Sequence, residues 1–215
     1  LMMSSGSAAT LEEVVVTAQK REQNLQDVPI SIIAISGEAL RANGVSRLED
    51  MSAAIPNFNF SETVSGSDAI TVRGIGSGVN FGFEQAVGQV VDGFFYGRSR
   101  FGRAAFLDIE RVELLKGPQG ALIGKNTTAG VINITTAKPT DEFEAWGAAT
   151  YEFEGGEGFN FEGAVSGPLS DNLKGRVAMR YDDRDGWVNN VVNGDDEQQL
   201  NDYTVRATLV WEASE

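Results

Sequence analysis

The last third of the sequence alternates apolar and polar side chains with a period of two. Because successive side chains of a β-strand point to opposite faces, this alternation predicts strands with one apolar and one polar face. Four segments show it, at residues 143–153, 159–166, 173–182 and 203–211. Their length suits strands that cross a membrane, although the strands of a soluble β-sandwich alternate in the same way.

The connections between these segments favour the membrane alternative. Residues 169–172 predict a tight turn, whereas residues 184–201 are long, acidic and rich in Gly and Asn. Short turns on one side and long loops on the other are typical of outer-membrane barrels. Four strands cannot close a barrel, and their open edges would be untenable in lipid. We therefore expect the first antiparallel strands of an incomplete transmembrane β-barrel.

The preceding part of the chain mixes helix and strand signals. Ser36 predicts the N-cap of a helix over residues 37–43, and the apolar, β-branched run before it predicts a strand. Ser46 and Glu49 form a capping box that predicts a second helix ending at Ile55. These signals predict a small α+β domain with a mixed β-sheet and short helices.

Two further strand-like runs, residues 109–115 and 131–136, flank a segment rich in glycine. In the first run Arg111 and Glu113 share one face. Proline fixes φ and disfavours helix for the residue before it, so the intervening segment must turn. The residues that permit this turn and the close backbone approach around it are Gly117, Pro118, Gly120, Gly124 and Gly130.

This segment resembles the plug signature of TonB-dependent outer-membrane receptors. The resemblance rests on Arg-Val-Glu-Leu-Leu-Lys-Gly-Pro-Gln-Gly at residues 111–120, on Gly124, and on Ala-Gly-Val-Ile-Asn-Ile at residues 129–134. Gly74, which follows an earlier strand-like run, also belongs to the expected plug motif. The resemblance covers nearly the whole chain and implies the outer membrane of a Gram-negative bacterium, with the plug facing the periplasm.

The resemblance also implies a division of the chain. We expect a leader remnant or cloning scar at residues 1–10, a TonB box with a linker at 11–23, a plug domain at 24–142 and about four barrel strands at 143–215. The TonB box would bind the energy-transducing protein TonB by adding a strand to it. The residues in the TonB-box position are Glu12, Glu13, Val14, Val15, Val16, Thr17 and Ala18.

Apical plug loops line the ligand pocket in the resembled family. Here the corresponding stretches are rich in glycine and aromatic residues, and loops on a rigid scaffold commonly carry ligand contacts. The candidate ligand-binding residues are Phe81, Phe83, Tyr96 and Arg98. The alternative is that the aromatic residues belong to the core.

Two arginines are candidates for holding the plug in the barrel. Arg73 and Arg111 each lie in an apolar, extended run, and a partly buried guanidinium needs a carboxylate partner. The resemblance implies that plug arginines at these positions pair with carboxylates on the inner barrel wall. Glu113 is a local candidate partner for Arg111, and we expect at least one further partner on the barrel. The alternative is that both are solvated surface arginines.

Composition narrows the classes of function. The chain has no Cys and no His, which excludes cysteine-based zinc or nucleophile sites and removes the commonest general base and metal ligand. We expect neither a cofactor nor an enzyme. Residues 1–142 carry a net charge of −4 and residues 143–215 a net charge of −10, which disfavours a nucleic-acid partner.

We therefore expect the N-terminal part of an active transporter that binds and imports a scarce nutrient, with the plug gating the barrel. The default cargo is a ferric siderophore or similar iron complex. A vitamin, an oligosaccharide or another metal complex is the alternative within the same class. From another class, the alternative is a soluble periplasmic binding module with a β-sandwich tail. The expected partners are TonB, the ligand and outer-membrane lipid.

Overall fold

The computed structural model describes residues 15–16, 23–24, 30–61, 68–78, 84–97, 106–153, 157–186, 188–189, 191–192, 196–197 and 199–213. The helices within these residues are α1 (Gly37–Ala42) and α2 (Met51–Ala54). The strands are β1 (Val15–Val16), β2 (Gln23–Asn24), β3 (Ile32–Ser36), β4 (Phe58–Ser61), β5 (Ala69–Val72), β6 (Ile75–Gly76), β7 (Val87–Val91), β8 (Phe94–Tyr96), β9 (Ile109–Lys116), β10 (Gly130–Thr136), β11 (Glu144–Glu152), β12 (Gly158–Ser170), β13 (Leu173–Arg184), β14 (Val188–Asn189), β15 (Asp196–Glu197) and β16 (Leu200–Trp211). None of the described helices is long and apolar enough to cross a membrane.

Strands β3 to β10 and both helices form a domain that we call the plug. Its larger sheet has the order β3-β9-β10-β7-β8, with β10 parallel to β7 and antiparallel to β9. A smaller sheet has the order β4-β5-β6. Leu48, Met51, Val72, Leu114 and Ile132 belong to the main hydrophobic core that joins the helices and both sheets. The predicted α+β domain with a mixed sheet and short helices is confirmed.

The first helix begins where the sequence predicts and ends one residue earlier, at Ala42, whereas the second helix starts later than predicted. Ser36 Oγ accepts a hydrogen bond from Ala39 N–H at 3.2 Å and so caps α1. The predicted capping box is wrong, because α2 starts only at Met51. Instead, the Asp50 carboxylate reaches back and accepts the backbone N–H groups of Ser46 and Arg47 at 3.0 and 2.8 Å. These bonds satisfy the backbone in a turn, so the helix starts later.

The glycine-rich segment between β9 and β10 makes the tight connection that its sequence predicts. Gly117 and Gly124 have φ values of 93° and 103°, a region that favours glycine. At Gly130 a Cβ atom would lie 2.5 Å from the carbonyl oxygen of Leu115 on the neighbouring strand. Glycine is therefore required there by the close approach of β9 and β10.

The four period-two segments form one antiparallel sheet of order β11-β12-β13-β16, which we call the wall sheet. One face is apolar and exposed, as Val177, Val205 and Leu209 show with 53%, 62% and 67% exposure. The other face packs on the plug and buries Arg176 and Arg180. Opposite faces of this kind suit a strand between lipid and a filled barrel interior.

The connections within the wall sheet match the predicted asymmetry. β12 and β13 are joined by a two-residue turn at residues 171–172. The longer connection from β13 to β16 contains the short antiparallel pair β14 and β15. The sheet is open at β11 and β16 among the described residues, which is the incomplete barrel that the sequence predicts.

Candidate functional site

The plug meets the wall sheet at Asp108, immediately before β9. The Asp108 side chain is only 1% exposed, and its carboxylate accepts two hydrogen bonds from Arg176 of β13, both at 2.6 Å. A bidentate pair between a guanidinium and a carboxylate is among the stronger polar contacts in proteins. Asp108 also has φ of 48°, so the backbone is held in an uncommon conformation where this contact forms. This pair is the central ionic contact between plug and wall sheet.

Arginines of the wall sheet also bind backbone carbonyls around Asp108. Arg180 Nη1 donates to the carbonyls of Phe106 and Ser46 at 2.6 and 2.9 Å. Arg206 Nη2 donates to the carbonyl of Asp108 at 3.0 Å and to the preceding carbonyl as well. These bonds satisfy carbonyls that lie outside the plug sheets, so the wall arginines complete the hydrogen bonding of this loop.

Glu162 of β12 adds a bond of the opposite sense. Its Oε1 accepts the backbone N–H of Asp108 at 3.0 Å, so both the backbone and the side chain of Asp108 bind the wall sheet. Together, Asp108, Arg176, Arg180, Arg206 and Glu162 form what we call the anchor. The anchor fixes the start of β9 to the inner face of the wall sheet.

A second ion pair lies beside the anchor with its charges reversed. Arg47 of the plug donates to Asp182 of β13 at 2.7 Å, and Arg180 lies 3.1 Å from the other oxygen of the same carboxylate. Burial lowers the pKa of Arg47, but the hydrogen bond and the charge of Asp182 outweigh it and raise the pKa above its ordinary value. Arg47 is therefore a plug arginine paired with a wall carboxylate.

Apolar packing accompanies the polar contacts. Leu107 is fully buried and clusters with Ala164 and Ala178 of the wall sheet, with Trp146 packed beside them. The small alanines leave room for the Leu107 side chain against the wall. The Arg41 guanidinium of α1 lies 4.7 Å from the Trp146 ring centroid, a cation–π contact between plug and wall.

The Arg111 guanidinium contacts carboxylates of its own strand, β9. Its Nε lies 3.0 Å from Glu113 Oε1, and Nη1 contacts Glu110. Glu113 is fully buried, and its second oxygen accepts Asn133 Nδ2–H at 2.9 Å. The local partner that the sequence offered for Arg111 is therefore in contact with it, while a docking role for Arg111 stays a prediction.

The expectation that Arg73 lies within a strand is wrong. Arg73 and Gly74 form the turn between β5 and β6, where Arg73 has φ of 54° and is exposed. Its backbone N–H donates to the Asn57 carbonyl at 2.8 Å. The apolar run ends one residue earlier, at Val72, because the chain reverses there. The pairing of Arg73 with a barrel carboxylate stays a prediction.

Most of the predicted ligand-binding residues fall outside the described part of the chain. Phe81, Phe83 and Arg98 are outside the described residues. The same holds for five of the seven TonB-box residues, namely Glu12, Glu13, Val14, Thr17 and Ala18. Tyr96 lies on β8 and packs partly against the main core, so part of its ring serves the fold. Val15 and Val16 form β1, which pairs antiparallel with β2.

Sequence reasoning missed the anchor itself. The alternation predicted the polar face on which the wall arginines lie. It did not indicate that Asp108 is their partner. A signal was present in the alternation, because the arginines of β13 stand four residues apart and so share the inward face. Among the described residues, no group of three or more acidic side chains is placed to hold a metal ion.

Comparisons with known proteins agree with this architecture. Residues 24–131 match the model of the TonB-dependent receptor plug domain. The pesticin receptor of Yersinia pestis is 31% identical over 193 residues, which is 86% of this chain and 27% of the receptor. The vitamin B12 transporter BtuB of Photobacterium profundum is 28% identical over 184 residues, which is 81% of this chain and 28% of the transporter.

A solved structure shows the same arrangement. The ferric yersiniabactin uptake receptor FyuA from Yersinia pestis superposes with a TM-score of 0.73 and 28% identity, over 84% of this chain and 28% of that receptor. The chain thus spans little more than a quarter of the length of the relatives it matches. The family model covers half of the chain, and the described fold and these relatives point to the same family. The chain therefore belongs to the TonB-dependent receptors of the Gram-negative outer membrane and comprises their plug domain followed by the first strands of the barrel.

Proposed function

We propose that this chain is the N-terminal part of an active transporter that imports an organic iron complex across the outer membrane. The observation that carries the proposal is the anchor, in which Asp108 binds Arg176 and backbone carbonyls bind two further wall arginines. A plug tied to the inner face of a lipid-exposed wall blocks the lumen. Transport then requires the contacts between plug and wall sheet at the anchor to break or rearrange, so the anchor would act as the gate of the barrel.

The two faces of the wall sheet support a membrane protein over the soluble alternative. A soluble β-sandwich would bury its apolar face against a second sheet, whereas Val205, Leu209 and Trp211 are all more than 60% exposed. An exposed apolar surface of this extent is unfavourable in water and is covered when lipid surrounds the strand. The periplasmic binding module is therefore the weaker proposal.

The relatives favour an iron complex as cargo. The FyuA receptor takes up ferric yersiniabactin, and it is the structure with TM-score 0.73 described above. The vitamin B12 transporter is 28% identical to this chain, so a vitamin is the second candidate. On the outer side we propose Phe81, Phe83, Tyr96 and Arg98 as ligand contacts in the full-length receptor.

Energy would enter through residues 12–18. A partner strand binds through backbone hydrogen bonds, and β1 shows that Val15 and Val16 adopt the extended conformation that such pairing needs. We propose that TonB pairs with this segment and transmits force to the plug. Arg47 contacts the wall, and we propose that Arg73 and Arg111 also pair with barrel carboxylates. These plug arginines would help return the plug to its docked position.

Uptake of radioactive iron tests the proposal. The full-length receptor is expressed in a host that lacks its own siderophore receptors, once with TonB and once without. A ferric hydroxamate, a ferric catecholate, ferric citrate and cobalt-labelled vitamin B12 serve as cargos. We expect TonB-dependent uptake of one of the iron complexes. Uptake of vitamin B12 alone would select the second candidate, and TonB-independent leak of every cargo would contradict active transport.

A further inference from the structure

The chain leaves the plug at Thr136, the end of β10, and enters the wall sheet at Glu144, the start of β11. The plug holds the first part of this connection. Thr136 donates to the Asp92 carboxylate from its backbone N–H at 2.9 Å and from its hydroxyl at 2.8 Å. The backbone N–H of Ala137 donates to the Asp108 carbonyl at 3.0 Å. The connection therefore belongs to the plug as far as Ala137.

The wall sheet holds the connection again from Thr140 onward. The backbone N–H of Thr140 donates to Ser166 Oγ of β12 at 2.9 Å, and the two hydroxyl oxygens are hydrogen-bonded to each other at 2.9 Å. Ser166 is only 2% exposed, and a hydrogen bond in such surroundings is stronger than one in water. At the neighbouring Gly167, a Cβ atom would lie 3.2 Å from the Cα of Phe143, so the connection runs close against β12. We call the contact between Thr140 and Ser166 the latch.

Lys138 and Pro139 lie between the part held by the plug and the part held by the wall. Both line a groove of about 630 Å³, and Lys138 is exposed, so the chain has room to move there. Proline fixes its own φ and restricts the residue before it to extended conformations. Few torsion angles can therefore change between plug and latch, which favours rotation about this point over free drift of the plug.

The contacts between plug and wall lie at different distances from this point. Asp108 of the anchor binds Ala137 directly and is therefore close to it. The ion pair of Arg47 and Asp182 lies further along the wall, because Asp182 is six residues from Arg176 on β13, which is about 20 Å of strand. A rotation of about 15° moves a group 20 Å from the axis by about 5 Å, which is longer than a hydrogen bond. The same rotation moves a group beside the axis by about 1 Å.

We propose that Lys138 and Pro139 form the pivot about which the plug rotates during transport, and that the latch holds the wall side of this pivot in place. The proposal rests on the transport function proposed above and adds where the movement is centred. The Arg47–Asp182 pair opens furthest, while the anchor contacts close to the pivot rearrange. The latch stays closed throughout, so it also fixes the position to which the plug returns.

Reversible cross-links in the full-length receptor test the pivot. The chain described here contains no Cys, so Thr140→Cys with Ser166→Cys, or Arg47→Cys with Asp182→Cys, introduces the only thiols within it. A short bis-methanethiosulfonate reagent joins each pair, and a reductant releases it. The probes are the ferric hydroxamate, ferric catecholate and ferric citrate labelled with radioactive iron, and each variant before cross-linking is its own control.

We expect the cross-linked latch to leave uptake unchanged, because the latch does not open. The cross-link between positions 47 and 182 should abolish uptake, and the reductant should restore it. Loss of uptake on cross-linking the latch would overturn the position of the pivot. Unchanged uptake with positions 47 and 182 joined would overturn the rotation.

Two proline variants test the pivot without any cargo. Pro139→Gly frees the pivot, whereas Pro168→Gly makes the same change at an exposed position of β12, outside the connection. Limited proteolysis in membranes measures how often the plug undocks. We expect Pro139→Gly to speed cleavage of the plug about two- to fivefold, which corresponds to the chain freedom that one proline removes, and Pro168→Gly to leave it unchanged. Equal cleavage rates for the two variants would overturn the pivot.

The unmodified receptor separates this proposal from the one on which it rests. If the unmodified receptor takes up no iron complex, the proposed function fails, and the proline variants still test the pivot. If it takes up an iron complex and the cross-linked latch abolishes that uptake, the proposed function stands and the pivot fails.

Discussion

Removing the charge of Asp108 should loosen the plug in the barrel. The Asp108→Asn variant keeps the size of the side chain but leaves the Arg176 guanidinium, 8% exposed, without its bidentate partner. Breaking a buried ion pair by removing one partner costs about 3–5 kcal/mol, which is roughly a hundred- to several-thousand-fold in the equilibrium between docked and undocked plug. The cost falls on docking, because Arg176 belongs to the wall and Asp108 to the plug.

Limited proteolysis and conductance measure this effect. The full-length Asp108→Asn receptor in membranes should show faster cleavage of the plug, and in planar bilayers it should show openings that the unmodified receptor lacks. The double variant Asp108→Asn with Arg176→Met should recover part of the lost docking stability, because the buried Arg176 charge that Asp108→Asn leaves unpaired is then also removed. The double variant therefore separates the penalty of an unpaired arginine from the loss of the contact itself.

The matched control is Lys174→Gln on the same strand. Lys174 pairs with Asp141 and Glu212, whose side chains are 84% and 58% exposed, and ion pairs with exposed partners contribute little to stability. This variant should resist protease as the unmodified receptor does. If Asp108→Asn also shows unmodified protease resistance and no added conductance, the anchor does not hold the plug and the reasoning from burial is wrong.

Three further predictions concern the plug. Val15→Pro removes a backbone donor and should abolish pull-down of the periplasmic domain of TonB while surface binding of the cargo persists; unchanged pull-down would exclude strand pairing through β1. Arg111→Gln leaves the buried Glu113 carboxylate without this arginine and should lower the free energy of unfolding in urea by about 3–5 kcal/mol. Arg73 is exposed, so Arg73→Gln should change it by less than about 0.5 kcal/mol, and equal urea midpoints for the two variants would contradict this difference. Gly130→Ala should lower the free energy of unfolding by more than about 1 kcal/mol, because its Cβ would lie 2.5 Å from a carbonyl oxygen. An unchanged urea midpoint would show that β9 and β10 can separate locally.

Local signals were sufficient for most of the fold. The period-two segments became β11, β12, β13 and β16, since one face of each strand is apolar and the other packs on the plug. Ser36 capped α1 because an N-cap depends only on the next three residues. Where local signals competed, the prediction failed: Asp50 bound the N–H of Ser46 and Arg47 and displaced the capping box.

The candidate site was harder to predict because its partners are distant in sequence. Arg176 and Asp108 are 68 residues apart, and no periodicity specifies which inward-facing side chain meets which loop. Sequence reasoning correctly placed Arg111 and Glu113 on one face of a strand, where they are in contact. It placed Arg73 in a strand because the flanking residues Val72 and Gly74 suit a packed sheet, and it did not foresee that the chain reverses at Arg73 and Gly74.

The anchor also bears on the order of assembly. The hydrogen bonds that link residues 106–108 to the wall sheet span 54 to 99 residues, and the wall residues that make them all lie on β12, β13 and β16. Contacts of short sequence separation cost less loop entropy and form earlier during folding. The plug can therefore associate with its own first wall strands while the chain is still being assembled, and further strands would then close around a plug already in place. Threading of a finished plug into a finished barrel is not required.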